Sequence, residues 1–131
     1  MIENMEIDTR SEIFKSACDD IDKIVDCYKG DADSSNGNAI SLSGMAAKEF
    51  MMHVDPILTS KKQTVPFSIY AFERPDSPII GISIKTEEKD INFYFANKKI
   101  RCYIEYMENG ERLIDTRICD IDDCEKILNN I

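Results

Sequence analysis

The sequence has a single histidine, His53, among 131 residues. Histidine is the side chain whose ordinary titration falls near neutral pH, so much acid–base chemistry is closed to this chain. It also lacks any C-x-x-C pair. Its five cysteines, Cys18, Cys27, Cys102, Cys119 and Cys124, have neither the spacing of a zinc site nor that of a disulfide framework. Free thiols and no structural metal are the expectation. There is no G-x-S-x-G, no H-E-x-x-H, no phosphate-binding glycine loop and no dinucleotide fingerprint, so neither an enzyme nor a cofactor is indicated. No apolar run approaches the roughly 18 residues of a membrane span. The opening MIENMEIDTR has neither the basic nor the apolar region of a signal peptide. A cytoplasmic protein without a membrane role is expected.

Positive charge is scarce as well. The net charge is −9, which disfavours nucleic-acid binding, where basic contacts to phosphate dominate. The imbalance is uneven. Residues 1–33 hold ten acids and four bases, 34–104 hold seven acids and nine bases, and 105–125 hold eight acids and two bases. Two acidic ends flank a slightly basic middle. Such a field suits solubility or steering towards a basic partner.

What remains is a chain of ordinary domain length with 43% apolar residues, enough for one core. A single domain over 1–131 is expected. T9-R-S-E12 is a capping box, followed by helical spacing at Ile13, Phe14, Ala17, Cys18, Ile21, Ile24, Val25 and Tyr28. Gly30 is placed to end that helix. D31-A-D-S-S-N-G-N-A-I-S41 has a loop composition. A second helix is expected from Ser41 or Ser43 to Val54, bounded by Pro56, with Leu42, Met45, Ala46, Phe50 and Val54 as its apolar set. Strands are expected at 65–73, 79–85, 91–96, 99–107 and 111–118. P-D-S-P joins the first two, and Asn109-Gly110 is a two-residue type I′ turn between the last two. Asp120 caps a final helix carrying Ile121, Cys124, Ile127, Leu128 and Ile131. The fold class is α+β: two N-terminal helices, a five-stranded antiparallel meander and a C-terminal helix packed on the sheet.

Three features of the sequence are candidate sites. The loop D31-A-D33-S-S35-N36-G37 resembles a calcium loop in its first positions, but glycine arrives one residue late and Leu42 stands where a bidentate glutamate belongs. A mobile polar loop is the expectation. On the first helix, Glu12, Asp19 and Asp26 share a stripe opposite Ile21, with Asp22 beside it. That stripe is either a solvated face relieved by pairs such as Lys15–Asp19 and Asp19–Lys23, or a surface for a basic partner. The second cluster is Glu105, Glu108, Glu111 and Asp115, then Asp120, Asp122, Asp123 and Glu125. Strand parity relative to Ile104 and Ile114 points Glu105 and Asp115 away from the core. Asp122 and Asp123 lie where a helix N-terminus favours anions.

In size, charge and element order the chain resembles bacterial immunity proteins, among them those of contact-dependent growth inhibition. The resemblance implies a binder that neutralises a basic toxin domain, a nuclease above all, by masking its active site with an acidic surface. Asp19, Asp22, Asp26, Glu105, Glu108 and Glu111 would face that partner. A runner-up resemblance is to type III secretion chaperones, whose usual order places one helix before the strands and one among them. A small hydrolase or ligand-binding enzyme is the remaining alternative. A deep pocket lined by carboxylates and His53 would mark the enzyme. A symmetric dimer with apolar grooves would mark the chaperone, and a flat or convex acidic face the inhibitor.

Overall fold

A computed structural model describes residues 12–29, 34–60, 66–72, 79–96 and 99–131. Helices α1 (Glu12–Lys29) and α2 (Ser34–Thr59) precede strands β1 (Phe67–Phe72), β2 (Ile79–Lys85), β3 (Lys89–Ala96), β4 (Lys99–Glu108) and β5 (Glu111–Cys119). Helix α3 (Ile121–Asn129) follows. The five strands form one antiparallel sheet in the order β1-β2-β3-β4-β5, the meander expected from the short connections. Thr9, Gly30, Asp31, Asp33 and the P-D-S-P turn lie outside the described residues.

One side of the sheet is apolar in every central strand. Ile80, Ile82 and Ile84 of β2 stand beside Phe95, Phe93 and Ile91 of β3, and these beside Ile100, Cys102 and Ile104 of β4. All are buried. Helix α2 lies over β2 and β3, and its Phe50 ring meets Phe93 at 4.7 Å and Phe95 at 5.1 Å between centroids. Each such buried side chain is worth roughly 1.5–3 kcal/mol of transfer free energy, so this layer is the centre of the core. Helix α1 packs against α2 and β1, and α3 against α2 and β5. The contact of α1 with α2 is close at Gly44, where an added Cβ would stand 2.8 Å from Val25 Cγ2 and 3.3 Å from Ile21 Cγ2.

Helix α2 is longer at both ends than its sequence suggests. Residues 34–41 are helical, not a loop. The buried side of α2 runs Ile40, Ser43, Ala47, Phe50, Met51, Val54 and Leu58, and Ile40 extends that helical repeat one turn earlier. Tertiary burial there outweighs the weak local preference of a Ser/Asn/Gly stretch. At the other end the helix runs through Pro56 to Thr59. An interior proline costs about 3 kcal/mol or more, and the extra turn is held by burial of Leu58. It is closed by Thr59 Oγ1 donating to Asp55 O at 2.9 Å and Ser60 N–H donating to Pro56 O at 3.2 Å. Leu42 and Met45, expected in the apolar set, are 66% and 67% exposed. Because the buried side is centred on Ser43 and Ala47, it turns these two outward.

The Asn109-Gly110 turn forms as expected, with φ of 51° and 81°, the positive values a type I′ turn requires. That turn sets the register, and the register corrects the expectation for β5. Ile104 pairs with Asp115 and Glu105 with Ile114. Paired residues share a face, so Asp115 lies on the helix side. Ile114 and Ile118 stand on the open face, 63% and 56% exposed. Glu105 does point away from the helices. In the consecutive pair Leu113-Ile114 either parity looks apolar, and a one-residue choice inverts the whole strand. The capping box of α3 is present, with Asp120 accepting from the Asp123 N–H and Asp123 from the Asp120 N–H.

Candidate functional site

The two acidic clusters occupy opposite ends of the strand order. Asp19, Asp22 and Asp26 lie on α1, which packs by β1, whereas Glu105, Glu108 and Glu111 belong to the β4–β5 hairpin. Four strand spacings separate these edges, about 19 Å. They do not form one acidic face.

The α1 stripe is interleaved with cations. Asp19, Asp22 and Asp26 are exposed, but Asp22 Oδ1 meets Lys48 Nζ of α2 at 2.5 Å. Lys15 reaches Glu12 at 3.8 Å. Asp19 sits with Lys15, Lys48 and Glu49 at the rim of an open groove floored by Phe14, Cys18, Met45 and Met52. The sequence alone does not reveal this groove between α1 and α2, because helical spacing assigns Met45 to the apolar set. Its signal was the run of Leu42, Met45 and Met52 on one side of α2. His53 does not line it. The imidazole Nδ1 lies instead 3.6 Å from Glu125 Oε2, tying α2 to α3.

The hairpin is arranged differently. Pairing between β3 and β4 ends at Lys89–Tyr106, while pairing between β4 and β5 continues through Met107–Arg112 to Glu108–Glu111. The tip therefore projects past the end of β3. On its open side Glu105 forms an ion pair with Arg112. Met107 is exposed. Glu108 and Glu111 face each other at the tip, both exposed. Among the described residues no ion pair engages either. Like charges directly opposite each other on paired strands are unfavourable, so folding gains nothing from this pair.

Beneath α3, three thiols cluster on the helix side of the sheet. Cys119 lies within hydrogen-bonding reach of Cys102 and Cys124, and all three are buried and unbridged. Burial, with the neighbouring Cys119 adding to it, pushes the Cys102 thiol up to about 12. Cys119 and Cys124 also shift upward, again mainly by burial. Protonated thiols are poor nucleophiles, so this cluster serves packing. Among the described residues no group of three or more His, Cys, Asp or Glu side chains converges to hold a metal ion, and no helix is long and apolar enough to cross a membrane.

No family model matches the chain, and neither curated proteins nor solved structures provide a match.

Proposed function

We propose that the protein acts by binding a basic protein partner, in the manner of an immunity protein that neutralises a toxin nuclease. The observation that carries this reading is the projecting hairpin tip, where Glu108 and Glu111 oppose each other beside exposed Met107. A cationic cleft would relieve their repulsion and cover the methionine. Carboxylates on a narrow protrusion can occupy positions that phosphates take in a nuclease active site. Electrostatic attraction would set the association rate, and one or two buried anchors the lifetime. Asp19 and Asp26 would add long-range steering. Asp22, already paired with Lys48, contributes less.

The test is to look for a basic toxin domain encoded beside this chain and to pair the two. Co-expression should restore growth, and the purified pair should form a complex. Replacing Glu108 and Glu111 by lysine should slow association by roughly tenfold or more at low salt. The difference should shrink as salt rises, because the Debye length falls from about 30 Å at 0.01 M to about 10 Å at 0.1 M. Unchanged association with an intact fold would move the interface away from the hairpin.

A second reading rests on the groove between α1 and α2. Its exposed methionines and charged rim suit an apolar segment of a client protein, as in a secretion chaperone. Met45→Lys with Met52→Lys would then abolish capture, while the hairpin reversals would leave it intact.

A further inference from the structure

Strand β5 is the last strand of the sheet and runs nine residues. In a two-residue hairpin the closing pair, Glu108 and Glu111, exchanges both backbone hydrogen bonds, and the pattern then alternates along the ladder. The regular register from Glu108–Glu111 to Ile100–Cys119 therefore turns the N–H and C=O of Arg112, Ile114, Thr116 and Ile118 outward, to an edge that no strand among the described residues pairs. Exposed edges are usually blunted by charged side chains, lysine above all, or by proline. Here, after Glu111 at the hairpin tip, the charges along the edge have both signs, in the order Arg112, Asp115, Arg117, Asp120.

That order is self-complementary about Thr116. When two copies pair antiparallel with Thr116 on Thr116, Ile114 faces the second copy's Ile118 and Asp115 faces its Arg117. Leu113 then faces Cys119 and Arg112 faces Asp120. Each pair occurs twice by symmetry. Arg112, Asp115, Arg117 and Asp120 thus each meet an opposite charge, and Leu113, Ile114, Ile118 and Cys119 each meet an apolar residue; Glu111 lies beyond this paired stretch, at the hairpin tip. A shift of the two-fold centre by one residue puts either Asp115 or Arg117 against itself, so one register is selected over its neighbours. The outward backbone groups fall in the same phase, since Arg112, Ile114, Thr116 and Ile118 all point at the second copy. We infer that β5 is a homodimerisation edge, along which a second copy of this chain pairs about Thr116 to form a continuous ten-stranded sheet. The exposed Ile114 and Ile118 then make one apolar band across the open face. A strand-edge interface is small compared with the roughly 1,200–2,000 Å² of standard stable interfaces, so the dimer depends on concentration. The inference does not rest on the proposed function. The register sends the two hairpin tips to opposite ends of the joint and leaves Glu108 and Glu111 accessible.

The test is sedimentation velocity of the full chain from micromolar to near-millimolar concentration. The sedimenting mass should rise from 15.0 kDa towards twice that value. D115R and R117D each place like charges opposite each other twice, and each should weaken association by about tenfold or more. The double variant D115R/R117D inverts the pattern, stays complementary and should recover wild-type association. Asp115 and Arg117 also pair within one strand, so melting curves accompany each variant. Thr116→Pro gives an independent arm. It removes an outward N–H at an edge, where proline is tolerated, and should yield a folded monomer. A monomer at every concentration would overturn the inference, even if the edge captured an extended peptide instead. A dimer indifferent both to the charge reversals and to Thr116→Pro would also overturn it, by placing the interface elsewhere.

Discussion

The Tyr70 ring lies across Gly81, its strand partner, and reaches over it to Tyr94. A Cβ at Gly81 would stand 2.8 Å from the ring's Cε2 and Cζ atoms. Tyr70 Oη lies 3.0 Å from Tyr94 Oη and donates to Asn92 Oδ1 at 3.2 Å. The rings of Tyr70 and Tyr94 meet edge to face at 6.1 Å, and those of Tyr94 and Tyr103 at 5.4 Å. The absence of a side chain at Gly81 is what lets this aromatic row cross the open face of the sheet.

Gly81→Ala should therefore displace the Tyr70 ring and cost about 1–3 kcal/mol, the usual range for overpacking. Chemical denaturation measures this directly. Made in a Tyr70→Ala background, the same substitution should cost much less, because the atoms it strikes are gone. Equal costs in both backgrounds would show that the Tyr70 contact does not set the penalty.

Ser43 is buried and joins α2 to the sheet, donating to Phe95 O at 2.6 Å and accepting from the Ile80 N–H at 2.7 Å. Ser43→Ala leaves that N–H and carbonyl without this partner. A loss of about 1–3 kcal/mol is expected, read as a lower denaturation midpoint at unchanged slope. Fast hydrogen exchange at Ile80 in the variant would locate the effect.

Glu108→Lys should act oppositely on stability and on binding. It replaces a like-charge pair across the hairpin by an attractive one, a gain of a few tenths of a kcal/mol. The same change should slow association with a basic partner. A melting temperature that falls, instead of holding or rising, would contradict the like-charge geometry at the tip.

The thiols should divide by burial. In the folded protein exposed Cys27 and half-buried Cys18 should react with a thiol reagent, and Cys102, Cys119 and Cys124 only after unfolding. The upward shifts also predict alkaline instability. Unfolded thiols ionise near their ordinary value of 9.0, whereas Cys102 in the fold holds its proton to about 12. Above pH 9 the folded chain thus binds more protons than the unfolded one, and stability falls as pH rises across that window. Denaturation midpoints measured from pH 7 to 11 should hold to about 9 and then decline. A flat profile would mean that the thiols titrate freely in the folded state.

The element order, the meander, the I′ turn and the cap at Asp120 were legible because each depends on local chemistry. Alternation at Ile100, Cys102, Ile104 and Tyr106 marks a half-buried strand, Asn109-Gly110 supplies two positive φ values, and Asp120 can bond the N–H three residues on. The exposed carboxylates of the hairpin could be named for the same reason. Tertiary structure decided the extent of α2, because Ile40 and Leu58 extend the helix only through burial against other elements. It decided the face of β5 too, since Leu113-Ile114 reads as apolar in either parity and only the turn-fixed register separates them. It also placed the acidic stretches at opposite edges, because their distance is set by strand order, and no stretch of sequence carries that by itself. The sequence by itself determined which elements form and which residues carry charge. Tertiary structure decided which of those charges stand together, because side-chain direction and long-range neighbours follow from packing.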